Sequence, residues 1–125
     1  IKDTAYFFGG ELVARVPVDS VVHTLSLQES DGGWTPIKVD PAAPAPTERI
    51  AHAQATTATG FFIFGGRQGI TMEEKPLNDL WHFDVVEKKW TAFASKGSTP
   101  SPRSFHKMVT GGSDDTVYVF GGCSA

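Results

Sequence analysis

Three apolar runs in this chain stop on paired glycines: Tyr6-Phe7-Phe8-Gly9-Gly10, Phe62-Ile63-Phe64-Gly65-Gly66 and Tyr118-Val119-Phe120-Gly121-Gly122. Gly9, Gly65 and Gly121 stand 56 residues apart, and a fixed period of that size means an array of like supersecondary units. Repetition also aligns the chain with itself. Positions that stay the same between copies hold the unit together, and positions that change are free to carry function.

Each run has the length and the aromatic or β-branched character of a buried strand, and its glycines permit a sharp exit where a Cβ would clash. Following the chain from this strand, b, a polar stretch from Arg67 to Asn78 leads into Leu80-Trp81-His82-Phe83-Asp84-Val85, which reads as strand c. The turn Val86-Glu87-Lys88-Lys89 then leads to strand d, Trp90-Thr91-Ala92-Phe93. The first copy offers Val22-His23-Thr24-Leu25-Ser26-Leu27 as c and Trp34-Thr35-Pro36-Ile37 as d, with Trp34 again 56 residues before Trp90. Phe83 lies seven residues before Trp90 and Leu25 nine before Trp34, so the Gln28 to Gly33 turn carries a two-residue insertion. Upstream of the second and third glycine pairs, Arg49-Ile50-Ala51-His52 and Arg103-Ser104-Phe105-His106 both spell Arg-x-x-His before small and apolar residues that suit a strand a. The order a, b, c, d predicts a four-stranded antiparallel sheet per repeat, with helical periodicity absent throughout. The longer Gly111 to Asp115 turn stretches the a-b connection of the third copy.

These elements together resemble kelch repeats, the blades of a β-propeller, over essentially the whole chain. The residues that carry the resemblance are Gly9, Gly10, Gly65, Gly66, Gly121 and Gly122; Phe83 with Asp84; Trp34 and Trp90; and His52 and His106 of the Arg-x-x-His motif. Phe83 and Leu25 depart from the family's usual tyrosine, and Ser26 stands in the first copy where an aspartate is usual. The resemblance implies an all-β fold of propeller blades that pack face to face, so that Trp34, Trp90, Phe8, Phe64 and Phe120 are expected in the core between them. It divides the chain into an incomplete first blade (b-c-d) at 1–37, a Pro/Ala-rich link at 38–48, a complete second blade at 49–93, a link at 94–102, and the a-b start of a third blade at 103–125. A closed propeller has about four to eight blades. Two and a fraction are expected here, as a fragment of a longer chain or as copies that assemble into a ring; the fragment is the preferred expectation, and open blade edges leave room for self-association.

The net charge of −3 supplies no general basic surface, which argues against nucleic-acid or anionic-membrane binding. No apolar run approaches the ~20 residues needed to cross a bilayer, and no charged leader precedes an apolar core, so the sequence reads as soluble. Cys123 is the lone cysteine; it excludes an internal disulfide and points to a reducing, cytoplasmic setting. No Gly-x-Ser-x-Gly or phosphate-cradling loop is present. His52 and His106 recur once per blade, which suits a structural job such as bonding loop carbonyls better than a metal site. Glu74, Asn78 and His82 share a spacing similar to the iron-ligand pattern of plant specifier kelch proteins, but asparagine replaces the middle aspartate and the match reads as coincidence. No cofactor and no catalytic residue is expected.

In an a-b-c-d blade the b-c loop and the d-to-a link emerge at one end. The long segments are the b-c loops Glu11 to Val21 and Arg67 to Asp79 and the links Lys38 to Glu48 and Ala94 to Pro102, so one face holds most of the variable surface. In related kelch domains, the resemblance implies, this face forms a peptide pocket. Immediately after the glycine pair the copies carry Glu11, Arg67 and Cys123, three unrelated side chains at one position. Arg15, Arg49, Arg67 and Arg103 are candidate guanidinium forks for an acidic peptide, with Glu11, Glu73 and Glu74 tuning the charge. For the repeated Arg49 and Arg103, structural anchoring competes with binding. The expected function is therefore a non-enzymatic scaffold for a protein or peptide partner; the alternative is a segment of a kelch-fold enzyme acting on a sugar or small metabolite.

Overall fold

The computed structural model describes residues 3–30, 32–69, 71, 73–113 and 116–124. Of the positions discussed above, Asp31 in the first c-d turn, Asp114 and Asp115 in the last a-b turn, and the end positions Ile1 and Ala125 lie outside the described residues. Every strand is paired antiparallel, and among the described residues there is no helix.

The first blade is the three-stranded sheet β1 (Thr4–Phe8), β4 (Val22–Ser26) and β5 (Trp34–Pro36), paired in that order. Between β1 and β4 the Glu11 to Val21 segment, expected as plain loop, forms a small hairpin of β2 (Glu11–Val13) and β3 (Val16–Pro17). The second blade is complete: β6 (Ala53–Thr56), β7 (Gly60–Phe64), β8 (Leu80–Asp84) and β9 (Lys89–Phe93), neighbours in that order. The third is the pair β10 (Lys107–Thr110) and β11 (Val117–Phe120). Leu25 faces Trp34 across the first blade just as Phe83 faces Trp90 across the second. The insertion between Leu25 and Trp34 is thus taken up wholly in the turn.

The turn chemistry explains the two lengths. Asp84 Oδ1 accepts the N–H groups of Val86 (2.9 Å) and Glu87 (2.8 Å), and the Lys88 N–H returns to the Asp84 carbonyl (2.8 Å), closing a tight c-d turn. Ser26 occupies the corresponding place in the first blade, where the longer turn is braced instead by Gly32 N–H to Glu29 O (3.2 Å).

Alternation along β7 assigns the cores. Phe61 and Ile63 pack with Phe8, Val22, Phe83 and Trp90 between blades one and two. Their neighbours Phe62 and Phe64 pack with Ala53, Ala55, Met108 and Val119 between blades two and three. Phe8, Phe64 and Trp90 are buried as expected, but Trp34 is 57% exposed and Phe120 83% exposed. The reason is directional: Trp90 faces the preceding blade and Phe64 the following one, so Trp34 and Phe120 point outward from the two ends of the stack.

Candidate functional site at the mouth of the blades

The paired glycines build the mouth. A Cβ on Gly65 (φ +65°) would stand 2.7 Å from the Arg103 carbonyl and 2.8 Å from His106 Cε1 of the next blade. One on Gly66 would stand 2.6 Å from the Ile50 carbonyl of its own blade. With neither present, Gly66 N–H donates to Arg103 O (2.9 Å), as Gly10 N–H does to Arg49 O (3.2 Å). The next residue, Arg67, then exchanges two backbone hydrogen bonds with Ile50 (2.9 and 2.8 Å), and Cys123 does the same with Ser104 (2.8 and 2.9 Å). Arg67 and Cys123 are therefore each clamped to the Arg-x-x-His segment of their blade, whereas Glu11 pairs with Pro17 in the first blade's hairpin.

Within that segment Ala51 (φ +55°) and Phe105 (φ +61°) both take the left-handed conformation, and Phe105 N–H donates to Ala51 O (2.8 Å) across the seam. Glu11, Arg15 and Arg67 come together with Ile50, Ala51 and Phe105 around one cavity of about 380 Å³. Glu11 Oε2 accepts the Arg15 N–H (2.6 Å) at the hairpin turn, where Arg15 has φ +68°. Arg67 Nη2 donates to the Glu74 carbonyl (3.1 Å). Among the described residues, neither Arg15 nor Arg67 forms an ion pair with a carboxylate.

The remaining candidates lie elsewhere. Glu73 and Glu74 line a separate cavity with Pro76, Ser101 and Pro102, and the Glu74 carboxylate folds back over Gly69, where a Cβ would overlap it. Arg49 is 0% exposed. Its Nη1 and Nη2 hold Asp79 bidentately (2.6 and 2.9 Å), Nη1 also reaches Gly65 O (3.0 Å), and Nε donates to Thr47 O (3.1 Å). Such a saturated, buried fork is a structural anchor and presents nothing to a ligand. Arg103 repeats the anchor on Gly121 O (3.1 Å) and Ser101 O (3.1 Å), with no carboxylate partner among the described residues. Cys123 is exposed and unbridged.

Asp79 was not singled out from sequence, although it fixes this anchor. Burial raises its pKa, but hydrogen bonds and charge from Arg49, with the Trp81 indole N–H at 2.8 Å, outweigh that and hold the carboxyl below its ordinary value. Phe105 was also passed over; its signal is the change from Ala51 inside an otherwise repeated motif. His52 is lowered from 6.5 to about 4, first by burial and then by the charges of Arg49 and His106. His106 is lowered too, by burial and by Arg103, even though its Nε2 lies 2.9 Å from the Phe64 carbonyl it bonds. Both rings are neutral packing elements, edge-on to Phe8 and Phe64. His82, the middle residue of β8, bonds the Thr57 hydroxyl (3.2 Å) and lies against Phe62, within the sheet and not in the loop that carries Glu74.

Four-stranded antiparallel sheets stacked face to face, each exiting through a glycine pair onto its successor, define β-propeller blades. The chain belongs to the kelch-repeat family: residues 1–125 match the KLHDC2/KLHL20/DRC7 Kelch-repeats domain. It is 30% identical over 140 residues to Kelch domain-containing protein 2 of Bos taurus, covering 97% of this chain and 33% of that protein. It is 28% identical over 128 residues to N-(sulfonatooxy)prop-2-enimidothioate sulfolyase of Thlaspi arvense, covering 99% and 34%. The solved structure of YjhT superposes with a TM-score of 0.72 at 21% identity, covering 99% of this chain and 32% of that one. The chain thus spans about a third of the length of each of these relatives.

Proposed function

We propose that these blades form part of a protein-interaction scaffold that captures a segment of a partner at the loop-bearing mouth. The observation that carries this reading is the convergence of Glu11, Arg15 and Arg67 on one cavity, with both guanidinium groups free of carboxylate partners among the described residues. Guanidinium forks pair bidentately with carboxylates, so a partner segment bearing Asp or Glu fits this mouth best. The Kelch-repeat membership and the likeness to Kelch domain-containing protein 2 support a binding role. Glu73 and Glu74 line the adjacent cavity and steer the partner by repulsion rather than by contact with the same group. Arg49 and Arg103 hold the seam on which the mouth depends.

A pull-down with the chain, repeated with Arg67→Glu, tests the reading. Reversing this charge should weaken capture of an acidic partner at least tenfold while leaving thermal unfolding within a degree or two. Equal capture by Arg67→Glu, Arg15→Glu and Glu11→Lys would remove the mouth from consideration.

The likeness to the sulfolyase supports a second reading, a segment of a kelch-fold enzyme acting on a small metabolite. Two placements weigh against it. Glu74 stands in the b-c loop while His82 sits mid-strand bonded to Thr57, and among the described residues no three His, Cys, Asp or Glu side chains gather as a metal site.

A further inference from the structure

Phe105 is held in a conformation that favours glycine, and most of its ring stays in solvent. Left-handed backbone crowds any Cβ and is uncommon for bulky side chains. The blade seam uses that conformation: from it Phe105 N–H donates to Ala51 O (2.8 Å), and the equivalent Ala51 adopts it too. Nothing in the seam requires a phenyl ring: the side chain is 66% exposed and belongs to neither core cluster. The seam accounts for the backbone conformation but not for the ring, and the ring lines the cavity that holds Arg67, Arg15 and Glu11.

We infer that Phe105 is a specificity-determining residue of the mouth, an apolar platform that selects partner segments in which an apolar side chain neighbours a carboxylate. This rests on the mouth being the binding face. The two guanidinium groups, which have no carboxylate partner among the described residues, attract the carboxylate, and the ring beside them offers the neighbouring side chain an apolar contact. The occupant is an extended peptide of a partner protein. Blade two shows what the site would be without the platform, since Ala51 stands in the corresponding place.

The test measures the chain against an array of acetylated octapeptides, each with one Glu in a Ser/Gly background and Ala, Leu or Phe beside it. The native chain should bind the Leu and Phe peptides about tenfold more tightly than the Ala peptide. Phe105→Gly and Phe105→Asn both accept left-handed backbone; they should keep or raise the melting temperature while that preference disappears, and Arg67→Glu should lose all three peptides. Native binding without regard to the neighbour overturns the assignment to Phe105 but spares the mouth. So does an undiminished preference in Phe105→Gly, or a melting temperature that falls with it, since the latter places the ring in folding. Failure of the native chain to bind any peptide removes the mouth reading and this inference together.

Discussion

At the scale of the residue, the decisive contact is one charge pair. Arg49 is fully buried, and Asp79 neutralises it through two hydrogen bonds while also holding Trp81. Removing the carboxylate leaves an uncompensated buried cation, whereas replacing both partners with apolar residues removes the cost together with the pair. Asp79→Ala should therefore cost on the order of 3 kcal/mol, and Arg49→Met with Asp79→Leu considerably less, both read from urea unfolding; a double variant as unstable as the single would overturn this. Arg49 illustrates how far sequence reading reaches. The Arg-x-x-His repeat advertises an important arginine, but the same spacing serves a surface fork and a buried anchor equally well. Only the position of Asp79, thirty residues away, separates them.

At the scale of the element, the glycine pair and the histidine of the next blade work as one seam. Gly65 gives room for the Arg103 carbonyl and the His106 ring, and Gly9 does the same for Arg49 and His52. Burial first, then the neighbouring Arg49 and His106 charges, lower the His52 pKa to about 4, and His106 moves in the same direction. On acidification the unfolded chain binds protons near the ordinary value of 6.5 while the folded chain does not, so protonation favours unfolding. The seam is fully stable above about pH 6.5 and weakens progressively toward pH 4, a total on the order of 2–3 kcal/mol from His52. Urea midpoints taken from pH 7.5 to 4 should fall across that window, and His52→Gln should flatten the fall. A midpoint constant between pH 7 and 5 would argue against a neutral buried imidazole. The order and place of the strands were legible, because an apolar run ending on two glycines has one physical reading, although β1 and β7 begin upstream of that run, at Thr4 and Gly60. The β2-β3 hairpin was not, since Glu11-Leu12-Val13 is short and exposed, Val16-Pro17 is shorter still and half-buried, and among the described residues the second blade has no copy of the pair.

At the scale of the whole molecule, each blade face is apolar because it is made to meet another. Phe7 and Trp34 meet edge to face (4.6 Å between rings) on the outward side of blade one, and Tyr118 and Phe120 stand on the outward side of blade three. Their repeat equivalents Ile63, Trp90 and Phe64 are buried, and Phe62 packs against that core. Apolar faces of this kind drive association. The chain is expected to self-associate with rising concentration in light scattering, and Trp34→Ser with Phe120→Ser to shift it toward monomer. Concentration-independent monomer in the unaltered chain would contradict the expectation. The sequence by itself determined the blade: period, strand order and glycine exits, all consequences of local steric rules repeated at a fixed interval. Tertiary structure alone decided which repeated residues are buried, which arginine is anchored on a carboxylate, and that Phe105 shares a cavity with Arg67. Those outcomes depend on what a neighbouring blade brings to the seam, and no spacing along one blade encodes it.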